Sequence, residues 1–273
     1  MDLTGATVLV TGANRGIGRA LVERLATEPV ALILAGMRDE SKFVEVTPAR
    51  GTDGGPGIVR AREIRAVHMD LSSRAQIDAC CDELGDDLRR IDVLFNNAGL
   101  VTGGLLEEQD MEQVYAMFQV NLVAVAHLSG RVLPAMLRRQ KGMIVNNASI
   151  SAYAHFPAAS TYAASKAGAV ALTESLRREL RGTGVHAMHL VTPGVSTDML
   201  DATENIYRRH LDVSGWEQIS PERWADQAVE AVKADKRVLN PPGKSRLAML
   251  ASRAPAWLLD QTTARVFSRT PRS

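Results

Sequence analysis

Up to Val191 the chain alternates short, almost wholly apolar runs with longer segments of helical spacing. Ala6-Thr-Val-Leu-Val10 is apolar and β-branched, and Arg19-Ala-Leu-Val-Glu-Arg-Leu-Ala26 then spaces its apolar residues as a helix does. Further strand-like runs are Val30–Ala35, Ala66–Met69, Ile91–Phe95, Gly142–Asn146 and Val185–Val191. Runs this apolar suit parallel strands covered on both faces, which have no solvent side to make polar. The segments between them then serve as crossover helices, the longest at 111–138 and 161–181. The pattern predicts an α/β fold: one doubly wound parallel sheet with helices on both faces, in a single domain spanning 1–273.

Three stretches break this rhythm. Thr47–Gly57 holds two prolines and four glycines and reads as an exposed loop within the second crossover. Residues 195–216 mix Met199, Leu200, Ile206, Tyr207 and Leu211 with charges. They read either as a cover over a site or as ordinary packing of a crossover helix. From about 240 an extension begins, with apolar residues and interspersed arginines that suit an amphipathic helix broken near Pro255. It could cover a site, pack on a neighbouring subunit or lie on a membrane surface, in that order of preference.

Composition narrows the classes. Hydrophobic residues make up 45% of the 273, enough for a sizeable core, and the net charge of +1 gives no global electrostatic case for nucleic acid. Met1-Asp2-Leu3-Thr4-Gly5 has no basic or apolar leader pattern, and no uninterrupted apolar run of ~18 residues suggests a membrane span. Adjacent Cys80 and Cys81 read as free thiols of a reducing, cytoplasmic compartment. His186 and His189 have no acidic or cysteine partners at ligand spacing, so no metal site is expected.

The candidate chemistry lies at strand ends. Gly12, Asn14, Arg15, Gly16, Ile17 and Gly18 follow the first strand and open the first helix. Glycines there allow close approach of a ligand, and the helix start offers free N–H groups to a pyrophosphate. This is the context that makes such a loop a dinucleotide site in a Rossmann-type sheet. The second strand ends without an acid at 35–37 and runs straight into Arg38. An arginine at that place accommodates a 2′-phosphate, so the cofactor reading is NADP(H), with Arg15 as a second cation. Asp39 is the residue that would reverse this if the register slipped.

Tyr162 and Lys166 stand four apart in a helical segment and share a face. A cation beside a phenol lowers its pKa toward the useful range for a general acid or base. Ser149 adds a hydroxyl able to hold a substrate oxygen. Tyr153 and Phe156, between Ser149 and Tyr162, suggest an apolar pocket wall, with His155 a solvated loop residue.

With these residues together, the chain resembles the classical short-chain dehydrogenase/reductase family over residues 5 to about 198. Gly12, Gly16 and Gly18 match its cofactor loop, and Asp70-Leu71 its adenine-contacting pair. Asn97, Ala98 and Gly99, in Asn96-Asn97-Ala98-Gly99, match the motif beside the cofactor, and Asn121 the helix asparagine that bends its helix around a water. Ser149, Tyr162 and Lys166 match the active-site trio. Pro193, Gly194, Val195 and Thr197 are similar to the turn that holds the nicotinamide carboxamide. Asn147-Ala148 before Ser149 departs from the usual pair, with no evident chemical consequence.

The resemblance implies proton exchange at Tyr162 coupled to hydride transfer, with Ser149 on the carbonyl oxygen. It further implies Lys166 on the nicotinamide ribose, Asn121 on a proton-relay water, and a homodimer or homotetramer. The substrate is expected to be a hydrophobic ketone, aldehyde or alcohol. A catalytically silent NADP(H)-binding sensor or scaffold is the alternative from another class.

Overall fold

The computed structural model describes residues 1–46, 58–213, 216–252 and 256–270. The loop expected at Thr47–Gly57 and the break expected at Pro255 lie outside the described residues. Seven parallel strands form one sheet: β1 (Thr7–Thr11), β2 (Leu32–Met37), β3 (Glu63–His68), β4 (Val93–Asn96), β5 (Gly142–Asn147), β6 (Val185–Leu190) and an edge strand (Val238–Leu239). Their spatial order is β3-β2-β1-β4-β5-β6 and then the edge strand. Strand order reverses between β1 and β4, which opens a crevice at their carboxyl ends.

Strand alternation sorts the side chains into two cores. Val8 and Val10 of β1 face one layer, and Leu9 faces the other. The first layer is closed by α1 (Gly16–Ala26) and by the helix Pro221–Lys233, whose Trp224, Ala228 and Val232 are fully buried. The second is closed by α2 (Arg74–Leu84), α3 (Asp86–Arg90), the long helix of 111–139 and the helix Ser160–Glu179. Cys80 and Cys81 are free and buried there, and burial pushes the Cys81 thiol up to about 11.

The long helix has three parts: α4 (Met111–Phe118), a π-turn (Gln119–Val123) and α5 (Ala124–Arg139). Met111–Arg139 is long and apolar enough to cross a membrane, although polar residues interrupt its apolar runs. Its Met117, Ala124, Leu128, Val132 and Met136 are instead buried in the protein, the last four in the core under the sheet.

The helix Ser160–Glu179 is α6. After β6, a two-residue strand β7 (Gly194–Val195) leads into α7 (Asp198–Tyr207), and β7 pairs with β8 (Gln218–Ile219). The helix Pro221–Lys233 is α8, the edge strand is β9, and α9 (Gly243–Ala251) and α10 (Ala256–Val266) complete the described chain.

The six expected strands all form, with shifted bounds. β2 starts and ends two residues later than expected, because Val30 N–H is already taken by the Glu28 carbonyl in a turn (2.8 Å). β3 begins three residues earlier, at Glu63, where alternating exposed side chains disguise an outer strand of the sheet. β9 was not foreseen: two residues on a sheet edge leave no periodic signal.

Candidate active site

The crevice is built from strand ends. Thr11 closes β1, and its Oγ1 accepts from the N–H groups of Asn97 and Ala98 at 3.0 Å each and donates to the Phe95 carbonyl at 3.2 Å. Asn97 returns a bond from Nδ2 to the Thr11 carbonyl at 2.9 Å. The two strand ends that flank the reversal point are thereby stitched together. Gly12 turns away at φ 66°, and a Cβ on Gly18 would stand 2.0 Å from the Gly12 carbonyl oxygen. Only glycine at 18 lets α1 start this close to the loop. The first-turn N–H groups of α1 have no intrahelical acceptor, and its dipole adds positive potential at the same end.

Arg38 is the first residue beyond β2 and is exposed. Asp39 is used elsewhere: its carboxylate accepts from Ser41 N–H (3.1 Å) and pairs with Lys42 (3.3 Å), capping a short turn. The register slip that would have put an acid at the strand end therefore does not occur. Arg15 is exposed and pairs with Asp198 of α7 at 3.3 Å, and Asn14 beside it is exposed. Asp70 follows β3 and accepts from Ser72 N–H at 2.9 Å, while the Leu71 carbonyl accepts from Gln119 Nε2 at 3.3 Å.

Asn121 sits inside the π-turn and is 1% exposed. A π-turn inside a helix often marks a functional position. Here it accompanies a side chain that bonds the Leu100 N–H and carbonyl at 2.9 Å each, and Ser165 Oγ at 3.1 Å. The Asn121 oxygen would lie 3.3 Å, and the Lys166 ammonium 3.5 Å, from a Cβ placed on Gly99. Gly99 thus leaves room for both groups, of which Lys166 lines the cavity and Asn121 lies behind it.

Ser149 follows β5 and accepts from Ser151 N–H at 3.1 Å. Its hydroxyl near Tyr162 favours the phenolate, but burial dominates and raises the Tyr162 pKa. Lys166 Nζ stands 6.0 Å from the centroid of the Tyr162 ring and donates to the Asn147 carbonyl at 2.8 Å. Burial lowers the Lys166 pKa to about 8. The expected depression of Tyr162 by Lys166 is thus not what this geometry gives: burial opposes charge on both groups.

These side chains border one cavity of about 340 Å³. Ile17, Asn97 and Gly99 line it from the β1 and β4 ends, and Ser149, Tyr162 and Lys166 from β5 and α6. Pro193, Gly194, Val195 and Thr197 line it from the turn around β7, where Thr197 caps α7 by accepting from Leu200 N–H at 3.4 Å. Met199, Leu200 and Tyr207 of α7 line it, whereas Ile206 packs in a neighbouring apolar cluster. Lys244, Ser245 and Ala248 of α9 also line it, so the extension does reach the site.

Two expectations about the wall differ. Phe156 lines the cavity, but Tyr153 turns toward β6 and bonds His189 Nε2 at 2.9 Å. His189 is fully buried and its pKa falls to about 4 through burial. Asn147, judged inconsequential from the sequence, is a hub. Its carbonyl takes Lys166, its Nδ2 reaches Asn97 Oδ1 at 3.1 Å, and its Oδ1 takes the Thr192 hydroxyl. Trp216 and Glu217 were missed as lining residues because they come from a segment without periodic pattern. Among the described residues no group of three His, Cys, Asp or Glu is placed to hold a metal.

The family model described as short chain dehydrogenase matches residues 6–207, so the chain belongs to the short-chain dehydrogenase family. It is 35% identical over 192 residues to the ketoacyl reductase HetN of Nostoc sp., covering 70% of this chain and 64% of that protein. The 3-oxoacyl-[acyl-carrier-protein] reductase FabG of Haemophilus influenzae is 32% identical over 200 residues, 73% of this chain and 78% of that one. Among solved structures, a metagenomic short-chain oxidoreductase in complex with NADP superposes with a TM-score of 0.63 at 29% identity, over 86% of this chain and 93% of that chain. The protein is an oxidoreductase of the class that acts on C=O and CH–OH groups with NAD(P).

Proposed function

We propose that this protein is an NADP(H)-dependent reductase or dehydrogenase of a hydrophobic ketone, aldehyde or secondary alcohol, with Tyr162 as the general acid and base. The observation that carries this reading is the convergence of Ser149, Tyr162 and Lys166 on one mostly apolar-walled cavity beside Gly99 and the 193–197 turn. The residues fit a dinucleotide. Gly12, Asn14, Arg15, Gly16, Ile17 and Gly18 would hold the pyrophosphate at the α1 start, where a Gly18 side chain would collide. Asp70 and Leu71 would meet the adenine, Asn97 and Ala98 the ribose side, and Pro193, Gly194, Val195 and Thr197 the nicotinamide.

Arg38 supports a 2′-phosphate, because it is exposed at the strand end and the nearby acid Asp39 is engaged in its own turn. The NADP named with the metagenomic oxidoreductase agrees with that choice. When bound, the nicotinamide supplies or accepts the hydride.

The chain's own groups handle the proton. In reduction the Tyr162 hydroxyl gives its proton to the substrate oxygen, while the Ser149 hydroxyl donates to that oxygen and holds it in place. The raised Tyr162 pKa keeps the phenol protonated for this step. Lys166 brings positive charge to the same wall as negative charge develops on the tyrosine, and Asn121 positions the path by which its proton is replaced. Met199, Leu200, Phe156 and Trp216 exclude water around the apolar part of the substrate.

We further place the protein in the cytoplasm as a homo-oligomer. The buried free thiols support a reducing compartment. Exposed Met111, Tyr115 and Val123 on one helix support a subunit contact. The test is NADPH oxidation followed by absorbance against a panel of ketones and aldehydes, with Tyr162→Phe as the comparison. Turnover that collapses in Tyr162→Phe while NADPH still binds is the expected result. Full turnover in that variant would overturn the assignment.

A further inference from the structure

Trp224 of α8 is fully buried and does not line the cavity, yet its indole N–H is tied to the residues that do. Its Nε1 donates to Thr192 Oγ1 at 3.2 Å. Thr192 donates in turn to Asn147 Oδ1, Asn147 Nδ2 to Asn97 Oδ1 at 3.1 Å, and Asn97 Nδ2 to the Thr11 carbonyl at 2.9 Å. Thr11 and Asn147 end β1 and β5, Asn97 is the first residue beyond β4, and Thr192 is the second beyond β6. These four strands are consecutive in the sheet. One row of side-chain hydrogen bonds therefore crosses the carboxyl ends of four strands and finishes on a helix behind them.

The ends of the row fix every group within it. The Thr11 carbonyl only accepts, so Asn97 turns its NH2 toward it and its oxygen toward Asn147. Asn147 then offers its own NH2 to Asn97 and its oxygen to Thr192, whose hydroxyl must donate. That leaves a Thr192 lone pair for the Trp224 indole, which only donates. All the donors run one way, and such chains strengthen one another where the dielectric is low. Asn97, Asn147 and Thr192 line the cavity. The Asn147 backbone carbonyl also holds Lys166 at 2.8 Å, and Thr192 leads straight into Pro193 and Gly194. A displaced row would carry the acceptor of Lys166 and the 193–194 turn with it.

We infer that Trp224 is a positioning residue for the reaction: acting through Thr192 and Asn147, it sets where Lys166 and the 193–194 turn stand, from outside the cavity. A phenylalanine would fill most of the same space without holding the row. This rests on the reductase reading of the cavity.

The test measures NADPH-dependent reduction of a ketone accepted by wild type, using Trp224→Phe, Thr192→Val, the double variant and Thr192→Ser, all below their melting temperatures. The kcat/KM for NADPH should fall roughly tenfold in Thr192→Val and at least about threefold in Trp224→Phe, the range of one lost buried hydrogen bond. The double variant should fall no further than Thr192→Val, because without the hydroxyl the indole has nothing left to orient. Thr192→Ser keeps the hydroxyl and should recover most of the loss. A purely structural role would leave the kinetics of the folded protein alone or give losses that multiply in the double variant. Wild-type kinetics in Trp224→Phe, or multiplied losses, would overturn the inference and leave the reductase assignment standing. Where Trp224→Phe does not fold, replacement of Trp224 by benzothienylalanine, which keeps the indole shape without its N–H, takes its place with the same expected loss. Absence of NADPH-dependent turnover of any ketone in a diverse panel by wild type would overturn the assignment and this inference with it.

Discussion

Asn121 holds the Leu100 peptide from both sides, its Oδ1 accepting the N–H and its Nδ2 donating to the carbonyl, each at 2.9 Å. The contact ties the loop after β4 to the π-turn of the long helix, and so fixes Gly99 between Asn121 and Lys166. Asn121→Ala would leave two part-buried backbone groups and Ser165 without that partner. Chemical denaturation should show a loss of about 2–4 kcal/mol. Turnover should fall further than stability alone explains, because Gly99 and Lys166 lose their register. An unchanged midpoint would mean that water replaces the amide at no cost.

Lys166 carries its charge in a buried place, and its pKa falls from 10.5 to about 8. Between those values the unfolded chain keeps a proton that the folded chain has released, so stability rises with pH across that window. The charged form is the one that burial penalises, so this gain is absent below about pH 8. Denaturation of Lys166→Met should lack this slope: the difference between variant and wild type should shrink by about 2–4 kcal/mol from pH 8 to 10.5. A difference independent of pH would show that Lys166 titrates normally.

His189 gives the opposite end of the pH scale. Its pKa is depressed from 6.5 to about 4 by burial, while Tyr153 occupies Nε2. Neutral histidine is stable in the fold above pH 6.5, and that stability is lost as pH falls through the window toward 4. Wild type should lose about 2–3 kcal/mol from this group by about pH 4.5. His189→Gln retains a partner for Tyr153 and should show a flatter acid profile by urea unfolding. Equal acid sensitivity in both proteins would move the cause to other groups.

Arg38 and Asp39 are adjacent, yet only Arg38 is available at the end of β2. Arg38→Ala should raise KM for NADPH roughly 10- to 100-fold, the worth of one charge-assisted hydrogen bond, and leave KM for NADH nearly unchanged. Equal losses with both cofactors would show that Arg38 acts on the shared part of the dinucleotide.

Gly103→Ala should disturb the lid without touching the proton-handling groups. The new methyl would collide with the Tyr207 ring at 2.2 Å and with the Ala158 carbonyl. We expect KM for bulky ketones to change at least about fivefold, with NADPH affinity retained as measured by fluorescence titration. Unaltered kinetics would mean that α7 shifts freely and does not shape the pocket.

The apolar runs of β1, β2, β4, β5 and β6 were readable because a parallel strand covered on both faces cannot alternate with polar residues. The glycine loop and the Tyr162–Lys166 spacing were equally legible, since backbone approach and helical repeat are local properties. The turn in which Asp39 accepts from Ser41, two residues on, is likewise local. Tertiary structure alone decided the rest. Tyr153 left the expected wall because a buried histidine on a distant strand gave its hydroxyl a partner. Asn147 became the junction of Lys166, Asn97 and Thr192 through contacts spanning 19, 50 and 45 residues. The pKa of Tyr162 was read from the charge four residues away, but burial by segments far along the chain sets its direction. Local sequence fixes spacing and conformation, whereas dielectric surroundings and hydrogen-bond partners are assembled only when remote segments close around a site.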